Sequence, residues 1–424
     1  MAGTREIPAS LTACFGPGQI RRGNEDDEVD GIVPSLALTV REPSEIANVV
    51  LEAAGEELGV LAVGGGTSIG SGNPPSRYDI RLSMRGMAAV TELCPADMTV
   101  TAEAGMTLSG LNRRLAEHGQ RITLDPDLPE RRTLGGLAAE GFSGGLSYGF
   151  GAMRDLVLGL SVVDGKGRIL RTGGRVVKNV AGYDLPLLFV GSAGTLGVIT
   201  ELTLRTHPLP EAEVTLVFDI PSVEKLRETT AVLFASPLPL AALDFSADAI
   251  GGGDTNWRLE LRLEGSEQQV GHQWACLVEL LGRDPDRRTA AWSSPAVVRE
   301  TDRVAASTVT GPAQAVDLAA SLAAAASEQP LRVGANLGSG RVLLALQERP
   351  APDKEAGWIN SMRQKAAQQG LGLRVDKCSA TAKASVTAWP GNGQTNGGAR
   401  LMAEIKRRFD PAGVLSPGRF VTSP

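Results

Sequence analysis

The residues best suited to chemistry form one run, Val60 to Gly70, with the sequence V-L-A-V-G-G-G-T-S-I-G. Four apolar residues make a short buried strand. Three glycines, a Thr-Ser pair and a fourth glycine then break it. Glycines let a backbone turn tightly and come near a ligand with no Cβ in the way. Successive outward-pointing N–H groups in such a turn form an anion-binding nest, and the hydroxyls of Thr67 and Ser68 add donors. The run reads as a cradle for a pyrophosphate; taken alone, it also reads as a plain glycine-rich turn between two strands. The dinucleotide pattern G-x-G-x-x-G fails, because Ile69 stands where its last glycine would fall. The P-loop pattern is half met: Gly65 and Gly70 have its spacing, but Ser71 stands in place of the lysine.

The chain around this run has 424 residues, enough for two or three domains. Its 42% apolar and 21% charged residues are those of a globular protein. Glycine makes up 51 of the 424 residues, well above the usual share of about 7%, which implies many tight loops near a ligand. The net charge of −6 argues against nucleic acid as a partner, since phosphate backbones need basic patches. Cys14, Cys94, Cys276 and Cys378 form no C-x-x-C pair, so neither a zinc nor an iron–sulfur site is implied. No apolar run approaches the ~18–20 residues of a membrane span, and the first fifteen residues lack the apolar core of a signal peptide. The expected location is the cytoplasm.

Residues 1–34 read as an irregular lead-in, with the acidic run Glu25 to Glu28 on a solvated surface. A strand at Ser35–Val40 is followed by a helix with Ser44 as the expected N-cap. Ile46, Val49, Val50, Ala53 and Leu58 give that helix one apolar face. It delivers the chain to the Val60 strand and the glycine loop. Further strands are expected at Asp79–Met84 and Met98–Ala104, and a helix over Thr107–His118 with Thr107 as its cap. After the turn Thr123–Asp127 comes a second small-residue stretch, Thr133 to Gly145, able to pack backbone against something flat and rigid. Asp155–Val163 and Arg168–Thr172 make a hairpin. The two prolines of His207-Pro208-Leu209-Pro210 mark a domain boundary.

Residues 211–398 have a different texture. Trp257, Leu259, Leu261 and Leu263 alternate with Arg258, Glu260, Arg262 and Glu264, a half-buried strand. The order of strands and helices suggests two split β-α-β-β-α-β units side by side over one antiparallel sheet, with one face free to cover a ligand. Arg332 and Arg341 lie on its strands, where each could hold a carboxylate or simply face solvent. A last helix, Ala399–Phe409, and the turn Asp410 to Arg419 close the chain.

Several stretches now match one family in order and spacing. They are the glycine loop, T-L-G-G-L-A-A-E-G-F-S-G, Lys178-Asn179-Val180-Ala181-Gly182-Tyr183-Asp184-Leu185, F-V-G-S-A-G-T-L-G-V-I-T, and the terminal F-D-P-A-G-V-L-S-P-G-R. Together they resemble the FAD-linked oxidases of the vanillyl-alcohol oxidase, or PCMH, type. The form R-V-V-K-N-V-A-G-Y-D-L is most similar to the FAD-binding subunit of bacterial glycolate oxidases. The resemblance is specific over residues 36–210 and the last ~25 residues, and weak between.

The resemblance implies an α+β fold: a PCMH-type two-subdomain FAD-binding domain over 35–210, then an antiparallel-sheet cap domain of ferredoxin-like units over 211–398. Residues 399–424 would return to the FAD domain. The family's pyrophosphate loop falls on Gly64, Gly65, Gly66, Thr67, Ser68, Ile69 and Gly70. Its second FAD segment falls on Pro126, Thr133, Gly135, Gly136, Gly141 and Ser143. Its adenosine-side main-chain contact falls on Val198 and Ile199.

Two family features are missing. No His or Cys lies near the glycine loop to tether a flavin, so FAD is expected to be non-covalent. The metal-holding histidine motifs of related D-2-hydroxyacid dehydrogenases have no match among His118, His207 and His272. Their nearest echo, Gly334-Ala335-Asn336-Leu337-Gly338, keeps an Asn and a Gly without a His, so no metal site and no general base are assigned. The resemblance therefore implies an FAD-binding component of a 2-hydroxyacid (glycolate-type) oxidoreductase. It would work with a partner flavoprotein subunit and an iron–sulfur subunit, and reach the inner membrane only peripherally, through them. The alternative is a non-catalytic FAD-binding scaffold whose partner performs the dehydrogenation.

Overall fold

The computed structural model describes residues 11, 14–174, 185–250, 255–282, 286–288, 292–326, 330–390 and 397–420. The Lys178 to Asp184 stretch lies outside them.

Two sheets flank the glycine loop. The first has the order β1-β2-β4-β3, from β1 (Ile20–Arg22), β2 (Leu36–Thr39), β3 (Val60–Val63) and β4 (Ile80–Ser83). Strands β2, β4 and β3 are parallel, and β1 adds an antiparallel edge, with Arg21 opposite Ala37. This corrects the reading of residues 1–34 as irregular. Gln19-Ile20-Arg21-Arg22 mixes polar and charged residues as an exposed edge strand does, and so carries no alternation signal. Helix α1 (Pro43–Gly55) joins β2 to β3 and buries Ile46, Val49, Val50 and Ala53. Its N-cap is Glu42, not Ser44: Pro43 takes the first helical position, where a missing N–H costs nothing.

The second sheet is antiparallel, in the order β5-β6-β9-β7-β8. Its strands are β5 (Val90–Cys94), β6 (Thr99–Glu103), β7 (Val157–Asp164), β8 (Ile169–Gly173) and β9 (Gly197–Arg205). Between β6 and β7 run helix α2 (Leu108–Ala116), capped by the Thr107 side chain accepting from the Gly110 amide, and helix α3 (Leu134–Glu140). Both sheets share one apolar core that includes Leu38, Ile46, Phe142 and Phe189.

The rest of the chain builds an eight-stranded antiparallel sheet. One half comes from β10 (Ala212–Ile220), α4 (Val223–Ala235), β11 (Ala242–Ala249), β12 (Trp257–Gly265), α5 (Glu267–Leu281) and β13 (Asp286–Arg288). The other comes from β14 (Val304–Val309), α6 (Pro312–Ala323), β15 (Leu331–Asn336), β16 (Arg341–Leu346), α7 (Pro352–Gln368) and β17 (Arg374–Lys377). The order β13-β10-β12-β11-β15-β16-β14-β17 is two β-α-β-β-α-β units joined edge to edge through β11 and β15. The expected duplication is thus present as topology.

The alternating strand differs from expectation on one point. Glu260 and Arg262 are buried alongside Leu259, Leu261 and Leu263. The sheet's second face is not open to solvent there, because Arg262 pairs with Glu213 and Glu264 and the latter also meets Arg121. A polar side chain facing a polar interface leaves the same sequence pattern as one facing water. After β17 come a short helix, α8 (Ala380–Lys383), and the last helix, α9 (Gly397–Phe409). The chain then returns to the first sheet: the Val60 amide donates to the Val414 carbonyl, and the Ser416 amide to the Val60 carbonyl.

Candidate cofactor and anion site

Strand β3 ends at Val63, and the glycine loop begins at once. Its position at the end of a parallel strand is where α/β-type sheets leave a crevice for ligands. None of the five amides from Gly64 to Ser68 is bonded to another described residue. Consecutive amides left free in a crevice are the nest that the sequence suggests. The glycines are required by close packing as well as by the turn. A Cβ on Gly65 would lie 1.7 Å from the Arg131 carbonyl oxygen, and Gly66 has φ +75°. A Cβ on Gly66 would project into open space, with nothing nearer than the Val63 side chain at 4.0 Å.

The loop forms one wall of a trough made of three adjoining clefts. The first has a cavity volume of ≈ 140 Å³ and is bounded by Gly64–Ile69, Thr133, Gly136, Gly191 and Ala193. The second continues past Gly70 towards Asp127 and Asp376. The third runs along the sheet face past Gly141, Ser143, Ser307, Thr308, Ser339 and Arg341. Glu140 lines all three. Of the expected site residues, Gly64 to Gly70, Thr133, Gly136, Gly141 and Ser143 therefore come together on the trough. Pro126, Gly135, Val198 and Ile199 do not line it. Pro126 is buried in its turn. Gly135 is a packing glycine, whose Cβ would stand 2.8 Å from that of Ala104. Val198 and Ile199 are buried in β9, paired with Val163 and Val162; pairing with β6 starts only at Glu201, so one edge of their main chain is outside the ladder.

Five charged residues that the sequence did not single out as a group, Arg132, Glu140, Arg341, Arg374 and Asp376, surround the trough. Arg132 donates to Glu140 at 2.6 Å and to Ser68 Oγ, while Ser68 Oγ donates to Glu140 at 2.7 Å. Arg374 holds Asp376 Oδ1 through Nε at 2.8 Å and Nη2 at 2.5 Å. Arg341 Nη2 stands 3.5 Å from Asp376 Oδ2. Arg341 Nε and Nη2 and Asp376 Oδ2 make no hydrogen bond. Burial lowers the Arg341 pKa, whereas the Asp376 carboxylate raises that of Arg374. Asp376 is held below the usual carboxylate range against its own desolvation, by the two arginines. Within this group three arginines face two carboxylates, one positive charge in excess. A signal for one member existed: Glu140 is the sole charged residue within Thr133 to Gly145.

The other arginine named from sequence is not available. Arg332 is tied to Asp302 at 2.6 Å and to the Pro295 carbonyl. Asn336, in the echo of the histidine motif, lies in the seam between the eight-stranded sheet and the part that carries the glycine loop. Its Nδ2 donates to Asp244 Oδ1 and the Gly145 carbonyl, and its Oδ1 accepts from Ser147 Oγ and from the Ser339 amide and hydroxyl. Nearby, Asp125 accepts from the Gly145 and Leu146 amides and from Trp292 Nε1. No group of His, Cys, Asp and Glu suited to a metal ion occurs among the described residues. No described helix is long and apolar enough to cross a membrane.

FAD fits the trough on two structural grounds: the free amides of the loop, and the buried hydroxyl of Ser143 on the third cleft, which has no partner. Known proteins agree. The FAD binding domain family model matches residues 34–173. Glycolate oxidase subunit GlcD from Bacillus subtilis (strain 168) is 31% identical over 213 residues, 50% of this chain and 45% of the relative. Glycolate oxidase subunit GlcE from Escherichia coli (strain K12) is 34% identical over 203 residues, 47% of this chain and 58% of the relative. The chain thus matches about half the length of these curated relatives. The crystal structure of p-cresol methylhydroxylase with substrate bound shares the fold, with a TM-score of 0.72 at 16% identity, over 97% of this chain and 95% of that one. Residues 34–173 thus carry an FAD binding domain, the curated relatives include glycolate oxidase subunits, and the fold is that of p-cresol methylhydroxylase; together they support FAD as the cofactor.

Proposed function

We propose that the chain is the FAD-binding component of an oxidoreductase that acts on a small 2-hydroxy acid of the glycolate type. The observation that carries this reading is Arg341, buried on the third cleft with two guanidinium nitrogens unbonded and a positive charge not fully matched. A buried, partly unpaired cation is costly unless a ligand completes it, and a planar guanidinium suits a carboxylate. FAD, once bound, supplies the two-electron acceptor. The protein's part is to bind and orient. Gly64 to Gly70, Thr133, Gly136, Gly141 and Ser143 would hold the cofactor, with Val198 and Ile199 on the adenosine side by main chain. Arg341 and Arg374 would hold the acid's carboxylate, and the hydroxyls of Ser307, Thr308 and Ser339 line the same cleft. Glu140 is the carboxylate on that cleft. Among the described residues the first cleft is lined by no His or Cys, the types that could tether a flavin.

In this reading residues up to about 210 with 399–424 form the flavin-binding part, and 211–398 the cap. A second reading has its own observation. Asn336 is fully bonded in the seam and cannot serve the substrate. That favours an FAD-binding scaffold whose partner flavoprotein, with an iron–sulfur subunit, carries out the dehydrogenation. A visible spectrum of the purified chain under anaerobic conditions separates the two. Flavin bands that bleach on adding glycolate or D-lactate support catalysis by this chain. Unbleached bands in a flavin-loaded chain support the scaffold, and a chain that takes up no FAD refutes both. Acid precipitation should release all the flavin; colour left on the pellet would show a covalent link.

A further inference from the structure

Three segments far apart in the chain meet beside the glycine loop. Lys383 Nζ donates to the Gly70 carbonyl at 2.5 Å and to the two Asp30 oxygens at 2.7 and 2.9 Å. Arg419 Nη2 donates to the Ile69 carbonyl at 2.5 Å and to that of Ser71, while its Nη1 reaches Asp30 Oδ2 at 3.4 Å. The side chains of Lys383, Asp30 and Arg419 are only 2%, 7% and 7% exposed. Asp30 precedes the first sheet's strand β2, Lys383 ends helix α8, and Arg419 belongs to the terminal turn.

This arrangement has two physical consequences. Three successive carbonyls are turned towards cations. A trans peptide plane points its N–H opposite to its C=O, so the amides of Gly70 and Gly72 are turned away from these cations. The charges are also unequal: two cations share one carboxylate. Burying an unmatched cation is expensive, and burial lowers the pKa of both Lys383 and Arg419. An anion in the loop would balance that charge, and Arg419 also lines the first cleft.

We propose that Asp30, Lys383 and Arg419 form a clamp that holds the loop in its pyrophosphate-binding shape and sets its affinity for FAD. They are positioning residues, acting through the loop's main chain and its local field. Because Lys383 lies beyond the sheet domain's last strand, flavin binding and docking of the cap are linked, each strengthening the other.

The proposal rests on the FAD reading above. Its test is FAD binding by the flavin-stripped full chain, followed by quenching of flavin fluorescence. Melting is measured with and without FAD. Arg419→Gln and Lys383→Met should each weaken FAD about tenfold or more, and shrink the rise in melting temperature that FAD produces. Arg419→Lys keeps the charge and should recover part of the loss. It carries the test with Lys383→Met if the glutamine variant does not fold. Unchanged affinity in these variants overturns the clamp. So does a lower flavin-free melting temperature with an undiminished rise on adding FAD, which marks a purely structural contact. A wild-type chain that binds no FAD overturns the underlying reading instead.

Discussion

Two polar clusters are buried between the FAD-binding part and the eight-stranded sheet, and they differ in how far their atoms are bonded. In the seam, every polar side-chain atom of Asn336, Asp244 and Asp125 has a partner, drawn from backbone, Ser294, Ser147, Ser339 and Trp292. At the trough, Arg341, Asp376, Arg132 and Ser143 keep atoms with none. Buried polar groups are costly when unbonded, and native proteins keep few of them. The saturated cluster holds two parts of the molecule together. The unsaturated one is shaped for something else to complete.

Substitutions sharpen this contrast. The largest effect on stability is expected in the seam: Asn336→Leu should cost about 3 kcal/mol, because it strands Asp244 Oδ1 and removes the acceptor of Ser147 and Ser339. Urea unfolding measures the loss; an unchanged midpoint would remove the distinction drawn here. At the trough the effect should fall on binding. Gly66→Val should lower FAD affinity about a hundredfold by placing a branched side chain in the cradle, and a variant purified with full flavin content would break the loop assignment. Arg341→Met should leave stability unchanged or raised, since it removes an incompletely paired buried charge. It should weaken the glycolate-induced change in the flavin spectrum by roughly 2 kcal/mol in apparent affinity, and an unaltered titration would place the carboxylate elsewhere.

The smallest effect is a pH dependence confined to the seam. Desolvation lifts the Asp125 carboxyl to about 6, and also raises that of Asp244 well above the usual carboxylate range. The folded state then holds a proton that the unfolded chain has already released, so stability is greatest below the unfolded carboxylate pKa near 4. It should fall by about 1–2 kcal/mol as pH rises from ~4 through ~6. Asp125→Asn should flatten that slope in urea titrations at pH 4 to 7. A slope unchanged in the variant would move the effect to other groups.

The seam also shows why sequence reading stops where it does. Asn336 was visible as an echo of a functional motif, yet its partners lie 92 and 191 residues away. Nothing local in Gly334 to Gly338 distinguishes a ligand-facing Asn from one locked to Asp244. Glu260 and Arg262 alternate with leucines as solvent-facing residues do, and only the packing of a second surface buries them. The edge strand at Ile20–Arg22 and the cap at Glu42 were missed for the opposite reason. Short exposed elements have no periodicity to read, and Pro43 displaced the more obvious cap.

By itself the sequence determined what depends on neighbours along the chain. The glycine loop after a buried strand, the apolar face of α1, the Thr107 cap, the hairpin at Asp164 and the duplicated strand–helix order all follow from local backbone freedom and periodicity. The tertiary structure decided what depends on remote charges brought together. It placed Arg341 beside Asp376, Glu140 beside Arg132, and Asp30 between Lys383 and Arg419. The physical reason is that the energy of a buried charge depends on its distance to other charges and on the surrounding dielectric, and neither is written in sequence spacing.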